Sequence, residues 1–345
     1  MQLCMSLCMS SAFPTGRQGT IRRSCGSGAI LYIGHYSCKA RHSMAPTGRP
    51  HRSLNSERTS TRARWHHDAV THARQHLTQV VAHRGASEDA PEHTLAAYRK
   101  AIEDGADALE CDVRLTADGH LVCVHDRRVN RTSNGRGAVS ALELSDLAAL
   151  DFGSWKSRDA FGEPRVEEPD WEHRPEDRED TSVLTLERLL GLVSDAGRRV
   201  ELAIETKHPT RWAGQVEERL LLLLKRYGLD APASPGDSPV RVMSFSARSL
   251  HRVRAAAPTV PTVYLTQFVS PRLRDGRLPP GVRIAGPSLR IVRSHPAYIE
   301  RLKQSGHQVH VWTVNEPADV DLCVRLGVDA IITNRPRAVL DQLGR

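Results

Sequence analysis

From Val80 to the C-terminus the chain alternates short apolar runs with stretches of helical period, and this alternation limits the fold more than any other feature. Such a pattern predicts a parallel sheet with helices packed on it. The strand candidates are 79–83, 108–115, 120–125, 200–206, 240–245, 260–265, 282–286, 308–314 and 329–333, nine in all and one more than a closed eight-strand barrel needs. Helices are expected over 94–104, 185–196, 213–227, 246–256, 295–305, 317–326 and 336–343, the first with Thr94 placed to cap its N-terminus after Pro91 and Glu92. Two places break the alternation. The connection from Val113 to Leu121 is too short for a helix and carries the turn signal Asp118-Gly119. Residues 127–184 form a long excursion whose later part, EPRVEEPDWEHRPEDRED, is acidic and contains proline, which predicts a mobile loop rather than a second core.

The residues ahead of this body differ in kind. Residues 1–77 hold 11 Lys and Arg against 2 Asp and Glu, whereas the body holds 37 against 38, so the net charge of +8 belongs to the tail. A cationic tail can bind polyanions. Here the charges are scattered among Ser, Thr, Gly and His, which predicts an unstructured, solvated segment, with residues 78–345 as the folded domain. Met44 opens a second stretch that could serve as a natural beginning, so part of the tail is expected to be dispensable for folding. Cys4, Cys8, Cys25 and Cys38 lie in the tail without metal-site spacing, and Cys111, Cys123 and Cys323 sit inside apolar patterns as small hydrophobes. That usage favours a reducing compartment. With no export signal at the start and no apolar run of about 18 residues, a cytoplasmic protein is expected.

In ALECDVRLT, Leu109, Cys111, Val113 and Leu115 point to one strand face and Glu110, Asp112 and Arg114 to the other. Helices cover the outside of a parallel barrel, so the charged row faces the axis. In ELAIETK the same split sets Leu202 and Ile204 against Glu205 and Lys207. Inward carboxylates need neutralising partners. A divalent cation with oxygen ligands is one solution; an ion-pair network among Glu110, Asp112, Arg114, Glu205 and Lys207 is the other, and these two strands alone do not separate them. The histidines do. His83 ends the Val80-Val81-Ala82 run and His125 ends LVCVHD, both where a strand runs into its loop, the catalytic edge of a barrel. A single strand-end histidine is commonly structural, but two beside a carboxylate cluster suit phosphodiester cleavage. That reaction must deprotonate a hydroxyl or water and protonate an alkoxide. Arg84 and Lys207 would offset the phosphate charge.

These residues resemble the glycerophosphodiester phosphodiesterase family. The resemblance rests on H-R-G-A at 83–86, P-E-H-T at 91–94, E-C-D-V at 110–113 and V-H-D at 124–126. Further blocks are R-T-S-N-G at 131–135, L-T-L-E at 184–187, E-T-K at 205–207, V-W-T-V-N at 311–315 and G-V-D-A-I-I-T-N-R-P at 327–336. It implies a TIM (β/α)8 barrel with an insertion after the third strand and a disordered N-terminal tail. It also implies Glu110, Asp112 and Glu205 as ligands of one Ca²⁺ or Mg²⁺, His83 and His125 as the acid/base pair, and Arg84, Lys207 and Trp312 at the substrate. The implied reaction is hydrolysis of a small-molecule glycerophosphodiester to sn-glycerol 3-phosphate and an alcohol, in some members through a cyclic phosphate. For Trp312, core packing is an equal alternative to substrate contact.

Two departures from the family pattern stand out. His93 replaces a common Asn in a loop position and is expected to matter little. Asn334 replaces an Asp, which keeps size and hydrogen bonding but loses charge and leaves any orienting role of that residue open. Lysophospholipase D-like action on a one-chain lipid is the neighbouring alternative, and a barrel that binds phosphodiesters without turnover, or a polyanion binder working through its tail, are alternatives of another class.

Overall fold

Among the described residues, nine strands appear where the sequence pattern sets them, and eight of them close into one barrel. The structure is a computed structural model that describes residues 77–157, 180–208 and 214–345. The tail up to residue 76, with its cysteines, and residues 158–179 of the acidic excursion lie outside the described residues. The barrel strands are β1 (Gln79–His83), β2 (Ala108–Leu115), β4 (Glu201–Thr206), β5 (Val240–Ser244), β6 (Thr262–Thr266), β7 (Ile284–Pro287), β8 (Gln308–Trp312) and β9 (Ala330–Thr333). All pair in parallel, and β1 closes the ring by bonding both β2 and β9.

The ninth strand, β3 (Leu121–Cys123), is the one the count left over. It runs antiparallel to the end of β2, with Val113 opposite Cys123, and stands outside the ring. The Asp118-Gly119 turn makes this possible, since Gly119 takes φ +85°, a conformation open to glycine. β3 stops two residues short of the predicted strand end. Val124 still bonds the Asp112 carbonyl at 3.0 Å, and the chain then bends so that His125 starts a loop.

Helices cover the ring's outside. Among those described, α1 (Leu95–Glu103) is capped by Thr94, whose Oγ1 accepts the Ala97 amide at 3.2 Å, as the sequence predicts. The outward row of β2, Leu109, Cys111, Val113 and Leu115, packs with Leu202 and Ile204 of β4 and with Tyr98 of α1. Inside the ring, Val81, Ala203, Met243, Val263, Ile284 and Ile332 fill the axis. The N-terminal end is plugged. Buried Arg241 donates to Glu201 Oε2 at 2.9 Å and to Gln79 Oε1 at 2.8 Å, and Gln79 Nε2 donates to Glu201 Oε2 at 2.9 Å. The opposite end, where the inward carboxylates stand, holds the open cavity. No helix among the described residues is long and apolar enough to cross a membrane.

Candidate active site

Closure of the ring sets the site by register. His83 lies opposite Glu110 across the β1–β2 pair, and Asp112 lies opposite Glu205 across β2–β4. Strand alternation turns Glu110, Asp112 and Glu205 inward together, each buried, with one oxygen from each within 4.8 Å of the others. The chain leaves β1 in a tight turn in which Arg84 takes φ +59° and Gly85 φ +85°. A Cβ on Gly85 would meet the Ala97 backbone at 2.6 Å, so the third position of H-R-G-A must be glycine. The turn also aims the Arg84 amide at Glu110 Oε2, 3.1 Å away.

Cations already answer part of this charge. Lys207 Nζ stands 3.0 Å from Asp112 Oδ1 and 2.9 Å from Glu205 Oε1, and Arg84 Nε stands 3.1 Å from Asp112 Oδ2. The ion-pair network is therefore real but centred on Asp112. Burial would raise that carboxyl, but Lys207, the His93 hydrogen bond and Arg84 hold it well below the usual range. The other two are left hard to ionise: burial and the Asp112 charge push Glu110 well up, and the same causes, against Lys207, push Glu205 up to about 8. Arg114, expected in the network, instead donates from Nε and Nη2 to the His125 carbonyl at 3.0 and 2.6 Å, still on the wall of the same cavity.

Both histidines reach this end. His83 Nδ1 donates to Asn334 Oδ1 at 2.6 Å, and Ser87 Oγ donates to the same oxygen at 3.1 Å. Burial, with Arg84 adding to it, lowers the His83 pKa to about 3. His125 Nδ1 donates to Asp126 Oδ1 at 2.7 Å, and burial lowers this imidazole too, against the pull of Asp112. His83, Arg84, Glu110, His125, Glu205 and Lys207 line one cavity of about 390 Å³, with Trp312 in its apolar wall. Trp312 packs into the wall and also borders the cavity: Nε1 donates to the Gly286 carbonyl at 2.7 Å, and its ring meets the Phe245 ring at 5.4 Å and nearly a right angle.

A model of the glycerophosphoryl diester phosphodiesterase family matches residues 83–338. A probable glycerophosphodiester phosphodiesterase of Mycobacterium tuberculosis is 47% identical over 257 residues, 74% of this chain and 89% of that protein. The chain belongs to the glycerophosphoryl diester phosphodiesterase family. A glycerophosphodiester phosphodiesterase of Caldanaerobacter subterraneus is 32% identical over 273 residues, 76% of this chain and 97% of its own. The fold agrees: a phosphodiesterase of Oleispira antarctica, solved with the product sn-glycerol-3-phosphate, superposes with a TM-score of 0.62 at 24% identity, covering 78% of this chain and 98% of that one.

Within this family member, two residues do more than their loop positions suggest. His93 is not incidental. It is buried, takes φ +62°, and places Nε2 2.9 Å from Asp112 Oδ2 and Nδ1 2.9 Å from the Tyr98 hydroxyl, which also reaches the Glu110 carbonyl at 3.0 Å. Burial lowers its pKa, against the pull of the Asp112 carboxylate that it holds. Asp126, unassigned from sequence, is the carboxylate partner of His125; its place in V-H-D was the only signal available.

Proposed function

We propose that this family member cleaves glycerophosphodiesters to sn-glycerol 3-phosphate and an alcohol with one divalent cation and the His83/His125 pair. The observation that carries this reading is the convergence of Glu110, Asp112 and Glu205 within 4.8 Å, beside a cavity that both imidazoles line. Three buried oxygen donors fit a hard cation, Ca²⁺ or Mg²⁺, better than a softer metal. Bound there, it would supply positive charge to a non-bridging phosphoryl oxygen and acidify the attacking hydroxyl. Arg84 and Lys207, both on the cavity wall, would hold the phosphodiester. Their other bonds to Asp112 fix where their charges stand.

The two imidazoles have unequal partners. Asn334 Oδ1 accepts the His83 Nδ1 hydrogen and leaves Nε2 with a lone pair, so His83 is suited to take the proton of a hydroxyl or water. The Asp126 carboxylate stabilises a protonated ring, so His125 is suited to give a proton to the departing alkoxide. The product bound by the Oleispira antarctica protein supports glycerol 3-phosphate as the retained half. Residues 78–345 would form the catalytic domain.

The test is release of glycerol 3-phosphate from glycerophosphocholine by the chain, by Glu110→Ala and by His83→Ala, each with and without chelator. Chelation should abolish wild-type turnover, and losing His83 should lower kcat by roughly 10²- to 10⁴-fold. Full turnover in either variant would remove the mechanism. A second reading has one observation in its favour: the cavity's apolar wall, Met243, Phe245, Leu265, Trp312 and Ile332, continues in sequence past Gln267 to Phe268, which is 74% exposed. That surface suits a single acyl chain. Turnover of lysophosphatidylcholine exceeding that of glycerophosphocholine would favour the lysophospholipase D-like activity.

A further inference from the structure

The R-T-S-N-G block opens with Arg131, on a one-turn 3-10 helix (Val129–Arg131) at the start of the excursion, and nothing in the reaction just described uses it. Its guanidinium spans two carboxylates. Nε donates to Asp126 Oδ2 at 2.7 Å, while Nη1 and Nη2 donate to Glu92 Oε2 and Oε1 at 2.9 and 2.7 Å. Each carboxylate continues toward the site. Asp126 accepts from His125 Nδ1 at 2.7 Å, and Glu92 accepts from Arg84 Nη1 at 3.0 Å. Arg84 in turn stands 3.1 Å from Asp112. A chain of charged hydrogen bonds therefore joins one imidazole to the phosphate-binding arginine, with Arg131 at its midpoint, and an ion pair ties that arginine to the carboxylate cluster.

We infer that Arg131 is a positioning residue, which fixes the His125 ring through Asp126 and the Arg84 guanidinium through Glu92 so that proton donor and phosphate clamp keep one spacing. The inference rests on the reading of His125 and Arg84 given above. Only a planar fork with several donors can serve both carboxylates at these distances; a lysine ammonium reaches them as a single point. Against burial, the Arg131 hydrogen bonds pull both Glu92 and Asp126 down to about 2, so both remain ionised acceptors throughout the neutral range. Arg131 does not line the cavity, which separates positioning from substrate contact.

The geometry also supplies the test. Arg131 is 44% exposed, and its guanidinium lies 5.9 Å from the centre of the Trp155 ring. Truncation would thus leave a site, open to solvent and floored by an aromatic face, that free guanidinium can enter. In the full chain, Arg131→Ala should lower kcat for glycerophosphocholine by roughly 10- to 100-fold, the usual effect of removing a supporting shell, with KM changed by no more than about 3-fold. Guanidinium chloride at tens of millimolar should restore at least about a third of the lost kcat, and should leave the wild type and His125→Ala unchanged. Arg131→Lys, which keeps the charge, should still lose several-fold in kcat and gives the same test if the alanine variant does not fold. Wild-type kcat in either variant, a loss confined to KM, or a loss that guanidinium leaves untouched would each overturn the inference. A wild-type chain without turnover would overturn the phosphodiesterase reading as well.

Discussion

An amide oxygen accepts and never donates, so the 2.6 Å contact with Asn334 fixes the hydrogen of His83 on Nδ1. A carboxylate in its place would make the same bond but favour the imidazolium. Asn334→Asp should therefore raise the His83 pKa from its lowered value, and the acid limb of the kcat/KM profile should move to higher pH while the alkaline side stays in place. An unmoved acid limb in that profile would remove His83 as the base. His83 and the three acidic residues were legible because each stands at a fixed phase of a strand, and His125 because it follows the end of one. Asp126 and His93 were not. Strand alternation carried through residue 126 sends its side chain away from that of His125; the two meet because β3 ends at Cys123. His93 is buried through a positive-φ turn and the packing of Tyr98, neither of which a loop sequence discloses.

At the scale of the element, β2 carries two opposed faces and should answer to substitution in opposite senses. Leu109 is fully buried among Leu202, Ile204 and the helices, so Leu109→Ala should cost about 2–5 kcal/mol of unfolding free energy through lost burial and the cavity left behind. Its neighbour Glu110 works against stability, since burial and Asp112 disfavour its charge. Glu110→Gln should stabilise the chelated chain by about 1 kcal/mol while removing turnover, the trade-off expected of a functional carboxylate. Chemical denaturation measures both, and a Glu110→Gln variant less stable than wild type would show that the carboxylate belongs to the ion-pair network alone. The period-2 pattern made β2 readable and set its faces correctly. It could not show that β3 pairs antiparallel outside the ring, because apolar content is the same for an inner strand and a hairpin partner. The five-residue helix at Leu144–Ala148 escaped for a related reason, being too short for a helical period to register.

On the scale of the whole molecule, ring closure is what forces carboxylates from β2 and β4 against the histidine of β1, and it ties the fold's stability to proton and metal binding. Glu205 ordinarily titrates near 4.5 and is raised to about 8 in the fold. A carboxyl raised in this way contributes stability that is fully present below pH 4.5 and is lost as pH climbs toward 8. Glu110 shifts in the same direction, whereas Asp112, held ionised by Lys207, adds stability at neutral pH that disappears only in acid. A divalent cation needs all three ionised, so its binding expels the protons that the metal-free fold retains. In the chelated chain the part of the stability that Glu205 and Glu110 contribute should accordingly be smaller at pH 8 than at pH 5.5, while His83, lowered to about 3, works in the opposite sense below pH 6.5. Ca²⁺ or Mg²⁺ should raise the melting temperature more at pH 8 than at pH 5.5, with about 2.7 kcal/mol available at a hundredfold excess over Kd. Scanning calorimetry at the two pH values, with chelator and with each ion, checks this. Equal stabilisation at both values would mean that the ion binds elsewhere than among these carboxylates, and no stabilisation at either would leave the counter-charge of the cluster to Lys207 and Arg84.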